Sequence, residues 1–265
     1  MANGRWQIGL HIQKDSVRAV ALSRKRGGWA LCRWWHMPAS DRLWPDGAAI
    51  AGEPLTQALR QWRAQLPRGH SLRVAFPAQR TRQRDIPRPA GLLCESECES
   101  WLAGAAAREL HLPTESLWLD YTLGEAPARF QVTAAQRRET EALLASFQAA
   151  GLQPETLTPD ACALAAFWPS APENVQFIAC EGADAWLWAS RSRWGVSEHG
   201  GLLAQAREMN ISAQQIAICG ALPKEAANCL QLDPLCFVTF QPPPLLKEAA
   251  CYAVALGLAM GEVAR

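Results

Sequence analysis

The sequence predicts an α/β fold made of two copies of one motif, with a small α/β unit inserted into the first copy and a shortened second copy. Three observations lead there. Short β-favouring runs come in threes at the start of each half, over 6–36 and 175–197. After each triplet the pattern continues as helix, strand, helix, strand, helix, so the order βββαβαβα can be written over both halves. Residues 78–134 interrupt the first copy with strands and a helix of their own.

The first-half elements follow in order. Trp6–Ile12, Val17–Ser23 and Trp29–His36 are rich in β-favouring residues or alternate, and tight turns separate them. Gly27-Gly28 is a hairpin signal. Leu55, Leu59, Trp62 and Leu66 fall on one face of a helix over about 53–66. Leu72, Val74 and Phe76 alternate in a fourth strand, ended by Pro77. In the insert, Thr81–Ile86 reads as an extended edge and a helix covers about 95–110. Leu117, Leu119 and Tyr121, then Phe130, Val132 and Ala134, read as two further strands. A helix over about 136–150 has Gly151 placed as its C′ residue. A strand near 155–157 leads to Thr158-Pro159-Asp160, which reads as N-cap, N1 and N2 of another helix.

The second half opens with strands at Val175–Cys180, Ala185–Ser190 and Arg193–Ser197. A helix at about 202–209, a buried strand at Gln215–Cys219 and a short helix near 224–230 follow. Cys236–Phe240 reads as a fifth strand, Pro242-Pro243-Pro244 as a stop, and about 246–262 as the last helix. The expected division is 1–77 plus 135–170 for the first core half, 78–134 for the insert, and 171–265 for the second half, its last helix packing back on the core.

Composition removes several function classes. At 49% hydrophobic and 19% charged, the chain carries a sizeable core and is not disordered. A net charge of +1 gives no global field for nucleic acid or an anionic membrane. The opening MANGRWQIGLHI does not read as a signal peptide, and no apolar run reaches membrane-spanning length. The nine cysteines are odd in number, and several lie inside apolar runs, as in FIAC (177–180) and IAIC (216–219); they read as reduced, packed thiols. Cys94 and Cys98 could share a helix face, but no second Cys/His pair stands at ligand spacing, so no metal site is expected. No G-x-S-x-G, C-x-x-C, HExxH or GxxxxGK[ST] motif occurs, and no catalytic acid/base pair stands out.

The repeated order matches the duplicated core of the actin-like (ribonuclease H-like) fold. WQIGLHIQKDSVRAVAL (6–22) resembles the opening strand–turn–strand of the PilM family of actin-like proteins of type IV pilus assembly. RVAFPAQRTRQRDIPRP (73–89), SLWLDY (116–121), VTAAQRRE (132–139), AAGLQPETLTPDACAL (149–164) and YAVALGLAMG (252–261) resemble family segments in the family's order. The tryptophan-rich RWW (33–35) and WLWASRSRWG (186–195) are similar to the short enterobacterial branch linked to use of external DNA as a nutrient. The resemblance implies a cytoplasmic scaffold at the inner membrane. Its partner would be a single-pass PilN-like (HofN-like) protein, whose N-terminal tail docks with main-chain bonds and side-chain pockets where the insert meets the first core half. Other subunits of the pilus alignment complex would lie nearby. The sequence does not fix the oligomeric state.

A nucleotide cleft between two such halves needs glycine turns that turn N–H groups toward phosphate, and carboxylates that hold Mg2+. The resemblance places the first turn at Gly9-Leu10-His11-Ile12-Gln13-Lys14-Asp15-Ser16, with His11 where active relatives have an acid and Gln13 where they have a glycine. Imidazole is a poor substitute, because Mg2+ prefers oxygen. In the second turn Ala179 stands about where the acid belongs, with Glu181-Gly182 displaced. The adenosine-side element has Gly220 followed by Ala221. Fewer than twenty residues separate the hairpin ending near 197 from the strand at 215, too few for the subdomain that roofs adenine in longer relatives. The expectation is therefore a vestigial cleft, no ATP or Mg2+ as cofactor and no catalysis, with a slow ATPase as the alternative.

Two other features compete with plain packing. Arg80, Arg82 and Arg84 alternate, so an extended segment would place them on one face, with Arg88 beside them. Such a basic ridge could grip DNA phosphates or anionic lipid headgroups, against the plain reading of a solvated strand face. The pilus-linked role requires no direct contact with DNA. Among twelve tryptophans, Trp35 and Trp194 are candidates for partner contact.

Overall fold

The computed structural model describes residues 5–39, 41–45, 50, 52–89, 91, 95–123, 129–182 and 184–261. The strands of the first half are β1 (Trp6–Ile12), β2 (Ser16–Lys25), β3 (Gly28–Pro38) and β4 (His70–Phe76). The insert contributes β5 (Thr81–Pro87), β6 (Leu117–Leu123) and β7 (Arg129–Gln136), and β8 (Thr156–Pro159) returns to the first half. β9 (Phe177–Glu181), β10 (Trp186–Ser190), β11 (Trp194–Ser197), β12 (Ile216–Cys219), β13 (Leu230–Leu232) and β14 (Val238–Phe240) follow. The helices are α1 (Gly52–Arg63), α2 (Glu95–Leu110), α3 (Arg137–Ala149), α4 (Leu202–Glu208) and α5 (Ala253–Met260), with a 3-10 segment over Asp160–Ser170.

Two sheets share one plan. The first has the order β14-β3-β2-β1-β4-β8 and the second β11-β10-β9-β12-β13. In both, the first three strands of the half are antiparallel neighbours. A fourth and fifth then add in parallel beside the first, as β4 and β8 beside β1 and as β12 and β13 beside β9. This is the duplicated core of an actin-like α/β fold. The third sheet, β5-β7-β6, is antiparallel and forms the insert, with α2 packed on one face through Leu102, Ala105 and Ala106 against Ile86, Phe130 and Val132.

Local sequence accounts for most boundaries. Leu55, Leu59 and Trp62 bury one side of α1, and Leu143 and Phe147 do the same for α3. These side chains meet Ile8, Leu10, Leu72 and Val74 in one apolar cluster. α3 ends as its glycine predicts. Gly151 has φ +70, its N–H bonds to Gln148 O at 2.9 Å, and Leu152 N–H reaches back to Phe147 O at 2.9 Å. That pair of bonds is a Schellman motif.

Four expectations fail. Thr158 and Pro159 do not open a helix: they end β8, beside Ala75 and Phe76 of β4, and the 3-10 segment starts at Asp160. The helix near 224–230 is a single turn at Lys224–Ala226, because Leu230–Leu232 is claimed by β12 as the fifth strand of the second sheet. Residues 238–240 instead cross to the first sheet and pair with Trp29 and Ala30 on its outer edge. An Asp233 turn starts that crossing, accepting Leu235 N–H on its side chain and Cys236 N–H on its backbone. The last helix is shorter than expected, with a 3-10 turn at Ala249–Tyr252 before α5; residues 262–265 of that expectation lie outside the described residues, as does Cys94.

α5 is the centrepiece of packing. Ala253 to Ala259 are all buried. Its helix lies on β1 at Gly9 and against the 3-10 segment at Ala163, in an apolar cluster that also takes in Ile178, Cys180, Ala217 and Cys219 of the second half. No helix is long and apolar enough to cross a membrane among the described residues.

Candidate functional site

The crevice between the two halves lies beside the β1–β2 turn. That turn is closed by Gln13 N–H donating to Ser16 O at 2.8 Å. It is strapped from outside: Leu43 N–H donates to Lys14 O at 2.7 Å and Ala39 N–H to Asp15 O at 2.8 Å. The Ser16 hydroxyl is spent on neighbours, 3.3 Å from both Gln13 Oε1 and Asp15 Oδ1. The Trp44 indole N–H caps the end of β1, donating to Ile12 O at 3.1 Å.

Charged groups fill the floor. The Arg80 guanidinium lies 5.0 Å over the Trp44 ring, donates to Glu139 Oε1 at 2.9 Å, and donates to Pro45 O at 2.9 Å. Asp160 is buried: its Oδ1 accepts the N–H groups of Ala78 at 3.0 Å and Ala161 at 2.7 Å. Its Oδ2 faces His11 Nε2 at 4.0 Å. Burial pushes the Asp160 carboxyl up to about 6, and burial together with nearby Arg18 pulls the His11 imidazole down to about 4. At neutral pH the histidine is uncharged, so the pair is a neutral imidazole beside a buried carboxylate and not an ion pair.

The far wall belongs to the second half. Gly182 N–H donates to Ala185 O at 2.9 Å, which closes that turn on itself instead of leaving the N–H for a ligand. Lys14 Nζ then spans the crevice to Asp184 Oδ1 at 3.1 Å. The remaining hollow, lined by His11, Gln13, Lys14, Arg80, Asp160 and Asp184, measures about 140 Å³. Pockets for drug-sized ligands run to roughly 300–1,000 Å³. Both carboxylates in it are engaged, Asp160 by two backbone donors and Asp184 by an ammonium. These are not the free oxygen donors that a hydrated Mg2+ bridging phosphates requires. Among the described residues no group of three or more His, Cys, Asp or Glu side chains is arranged to hold a metal.

The structure separates the residues that sequence grouped together. His11, Gln13, Lys14 and Gly182 line the hollow, and Ser16 lies buried beneath the turn. Gly9 does not face it. A Cβ there would overlap the Ala255 carbonyl oxygen and sit 2.6 Å from Ala259 N, so this glycine seats α5 on β1. Glu181 points away, 3.9 Å from His199 Nδ1. Gly220, with φ +124, borders a separate open hollow of about 570 Å³ with Gln231, Asp233, Lys247 and Glu248, and its missing Cβ makes room for Ala250.

The basic ridge is smaller than expected. Arg80 sits in the 3-10 turn before β5 and is bound inward, so the exposed set is Arg82, Arg84 and, stacked on Phe130, Arg88. Trp35 is also corrected: it is buried edge-on against Trp62 at 5.6 Å and donates to Gln65 at 3.0 Å, so it offers no surface. Trp194 is half-buried against the central core. Sequence reasoning passed over Trp118, which is 47% exposed on β6 at the junction of insert and core half, with Arg137 of α3 stacked 4.7 Å from its ring. Its signal was present in the alternation of β6, where Leu117, Leu119 and Tyr121 point inward and leave Trp118 outside.

Comparison with known proteins fits this picture. No family model matches the sequence. Over 265 residues the chain is 37% identical to the DNA utilization protein HofM of Escherichia coli (strain K12), covering 99% of each. The chain belongs to the HofM family. Among solved structures it superposes on a chain of a PilM–PilN type IV pilus biogenesis complex with a TM-score of 0.72 at 19% identity, covering 96% of this chain and 97% of that one. It also matches the cytoplasmic domain of EpsL, an inner membrane component of the type II secretion system of Vibrio cholerae, with a TM-score of 0.63 at 14% identity over 97% and 95% of the two chains. At these identities the likeness is one of fold. This HofM-family chain therefore shares its fold with both over nearly its whole length.

Proposed function

We propose that this chain is a cytoplasmic scaffold of a type IV pilus-like DNA-uptake apparatus, which captures the N-terminal tail of a PilN-like (HofN-like) inner-membrane protein. The observation that carries the reading is the contrast between two sites. In the crevice nearly every polar group is spent on another part of the same chain. At the junction of insert and first core half, a large aromatic side chain stands exposed beside a sheet edge. Among the described residues β6 is paired on one side alone, to β7, so its outer edge can bond an extended peptide while Trp118 supplies an apolar anchor. The chain would then reside at the inner membrane through that partner.

The direct test is calorimetric titration of the full chain with a synthetic N-terminal peptide of the PilN-like partner. Saturable binding is expected, weakened at least about tenfold by Trp118→Ala, as for an interface anchor. Absence of heat up to millimolar peptide would remove the proposal.

The same reading includes no nucleotide and no ATP hydrolysis. Ligand at 100 times its dissociation constant would add about 2.7 kcal/mol to stability. Melting curves with and without millimolar Mg-ATP are expected to coincide. A clear upward shift abolished by Lys14→Ala would restore the slow ATPase as the better reading.

A further inference from the structure

We propose that the end of the first sheet opposite the crevice docks directly on an anionic lipid surface. β2 starts at the crevice turn and ends ten residues later at the tip of the β2–β3 hairpin, about 30 Å away. That tip carries Arg24, Lys25 and Arg26, all exposed, and none makes an ion pair among the described residues. Beside it runs β14 and the segment after it. Ala30 of β3 pairs with Ser23 on one side and Phe240 on the other, so Phe240 stands about 10 Å from the base of the basic tip.

Phe240 is 61% exposed. Leu245 is exposed too, but the preceding Pro244 carbonyl accepts the Trp34 indole N–H at 3.1 Å, so it lies further along β3, away from the tip. The two parts are fixed to each other. Trp29 N–H donates to Phe237 O at 3.4 Å, the Thr239 hydroxyl donates to Trp29 O at 3.2 Å, and the Arg24 guanidinium lies 4.8 Å over the Trp29 ring. Three exposed cations, in no ion pair among the described residues, beside a protruding phenylalanine match the two layers of a membrane interface: anionic headgroups outside, acyl chains beneath. Duplex DNA would use the cations but leave Phe240 in water, so the apolar side chain favours lipid.

This surface does not depend on tail capture, because protein-free vesicles test it alone. The full chain is expected to co-sediment with vesicles of phosphatidylglycerol and phosphatidylcholine at low salt and not with phosphatidylcholine alone, and added salt should weaken the binding. The Lys25→Ala/Arg26→Ala double variant, which keeps the Arg24 stack, should bind about thirtyfold more weakly. Phe240→Ser should lose about tenfold, mainly from the salt-resistant part. Melting curves of both variants should match the parent, since all three side chains are exposed. No vesicle binding, equal binding to neutral vesicles, an unaffected double variant, or preference for duplex DNA over vesicles at equal phosphate would each overturn the proposal.

Discussion

Gly9→Ala is expected to destabilise the chain by at least about 3 kcal/mol, or to prevent it from folding, although it adds one methyl group. The added Cβ would overlap the carbonyl oxygen of Ala255 and lie 2.6 Å from Ala259 N and 2.8 Å from Leu258 Cβ. Two of the three obstacles are helix backbone, which cannot rotate aside. To regain the 3.4 Å at which ordinary contact begins, α5 would have to lift from β1 as a body. Its other side is held too: a Cβ at Gly257 would overlap the Ala163 carbonyl oxygen and stand 2.9 Å from its carbonyl carbon. Gly257→Ala should therefore cost about as much, because the helix has no free side to retreat toward.

The control is Gly69→Ala, where a Cβ meets nothing within 4 Å; its effect should stay within about 0.5 kcal/mol. Thermal melts read the difference, since about 3 kcal/mol corresponds to roughly 10 °C in a chain of this size. If Gly9→Ala melts with the parent, α5 does not sit on β1 as described.

The same glycine shows where sequence reading stops. A glycine inside a strand announces that something approaches the backbone closely, but not whether that is a phosphate or a helix. The resemblance favoured the phosphate; packing chose the helix. Longer runs such as Val17–Ser23 and Leu72–Phe76 were legible from their β-favouring composition, although both of their faces are largely buried. β13 and β14, three residues each, are too short to show a period, and only the parallel neighbour of each decides which sheet it joins. His11 and Gln13 located the crevice in the sequence. The ion pairs in and beside it were not legible, because Lys14 and Asp184 are 170 residues apart and Arg80 and Glu139 are 59 apart. Pairings of that range follow from tertiary structure, not from spacing. Trp35 illustrates a further limit: its alternation in β3 puts it on one face, but α1 then covers that face with Trp62.

Asp160→Asn is expected to stabilise the protein near neutral pH, by up to about 3 kcal/mol, the value of lifting a carboxyl from 3.8 to about 6. An asparagine oxygen can still accept the N–H groups of Ala78 and Ala161, and its amide can donate toward His11 Nε2, which is neutral at that pH. Asp160→Ala removes the acceptor and leaves two buried backbone donors without a partner, at about 2 kcal/mol each, so it should fall about 4 kcal/mol below the asparagine variant. The pH dependence separates this reading from simple repacking. Because the folded carboxyl holds its proton more tightly than the unfolded one, the parent gains stability from Asp160 as pH falls from about 6 toward 3.8. His11 acts in the opposite sense: its folded value is depressed to about 4, so stability is lost as pH falls from 6.5 to about 4. In the parent the two contributions nearly cancel across that window. In Asp160→Asn only the histidine loss remains, so its advantage should shrink steadily with acidification and vanish near pH 4. Denaturant midpoints of the parent and both variants across that range read this directly. An asparagine variant that is less stable than the parent at neutral pH would mean that the buried negative charge itself holds the backbone of Ala78 and Ala161 in place.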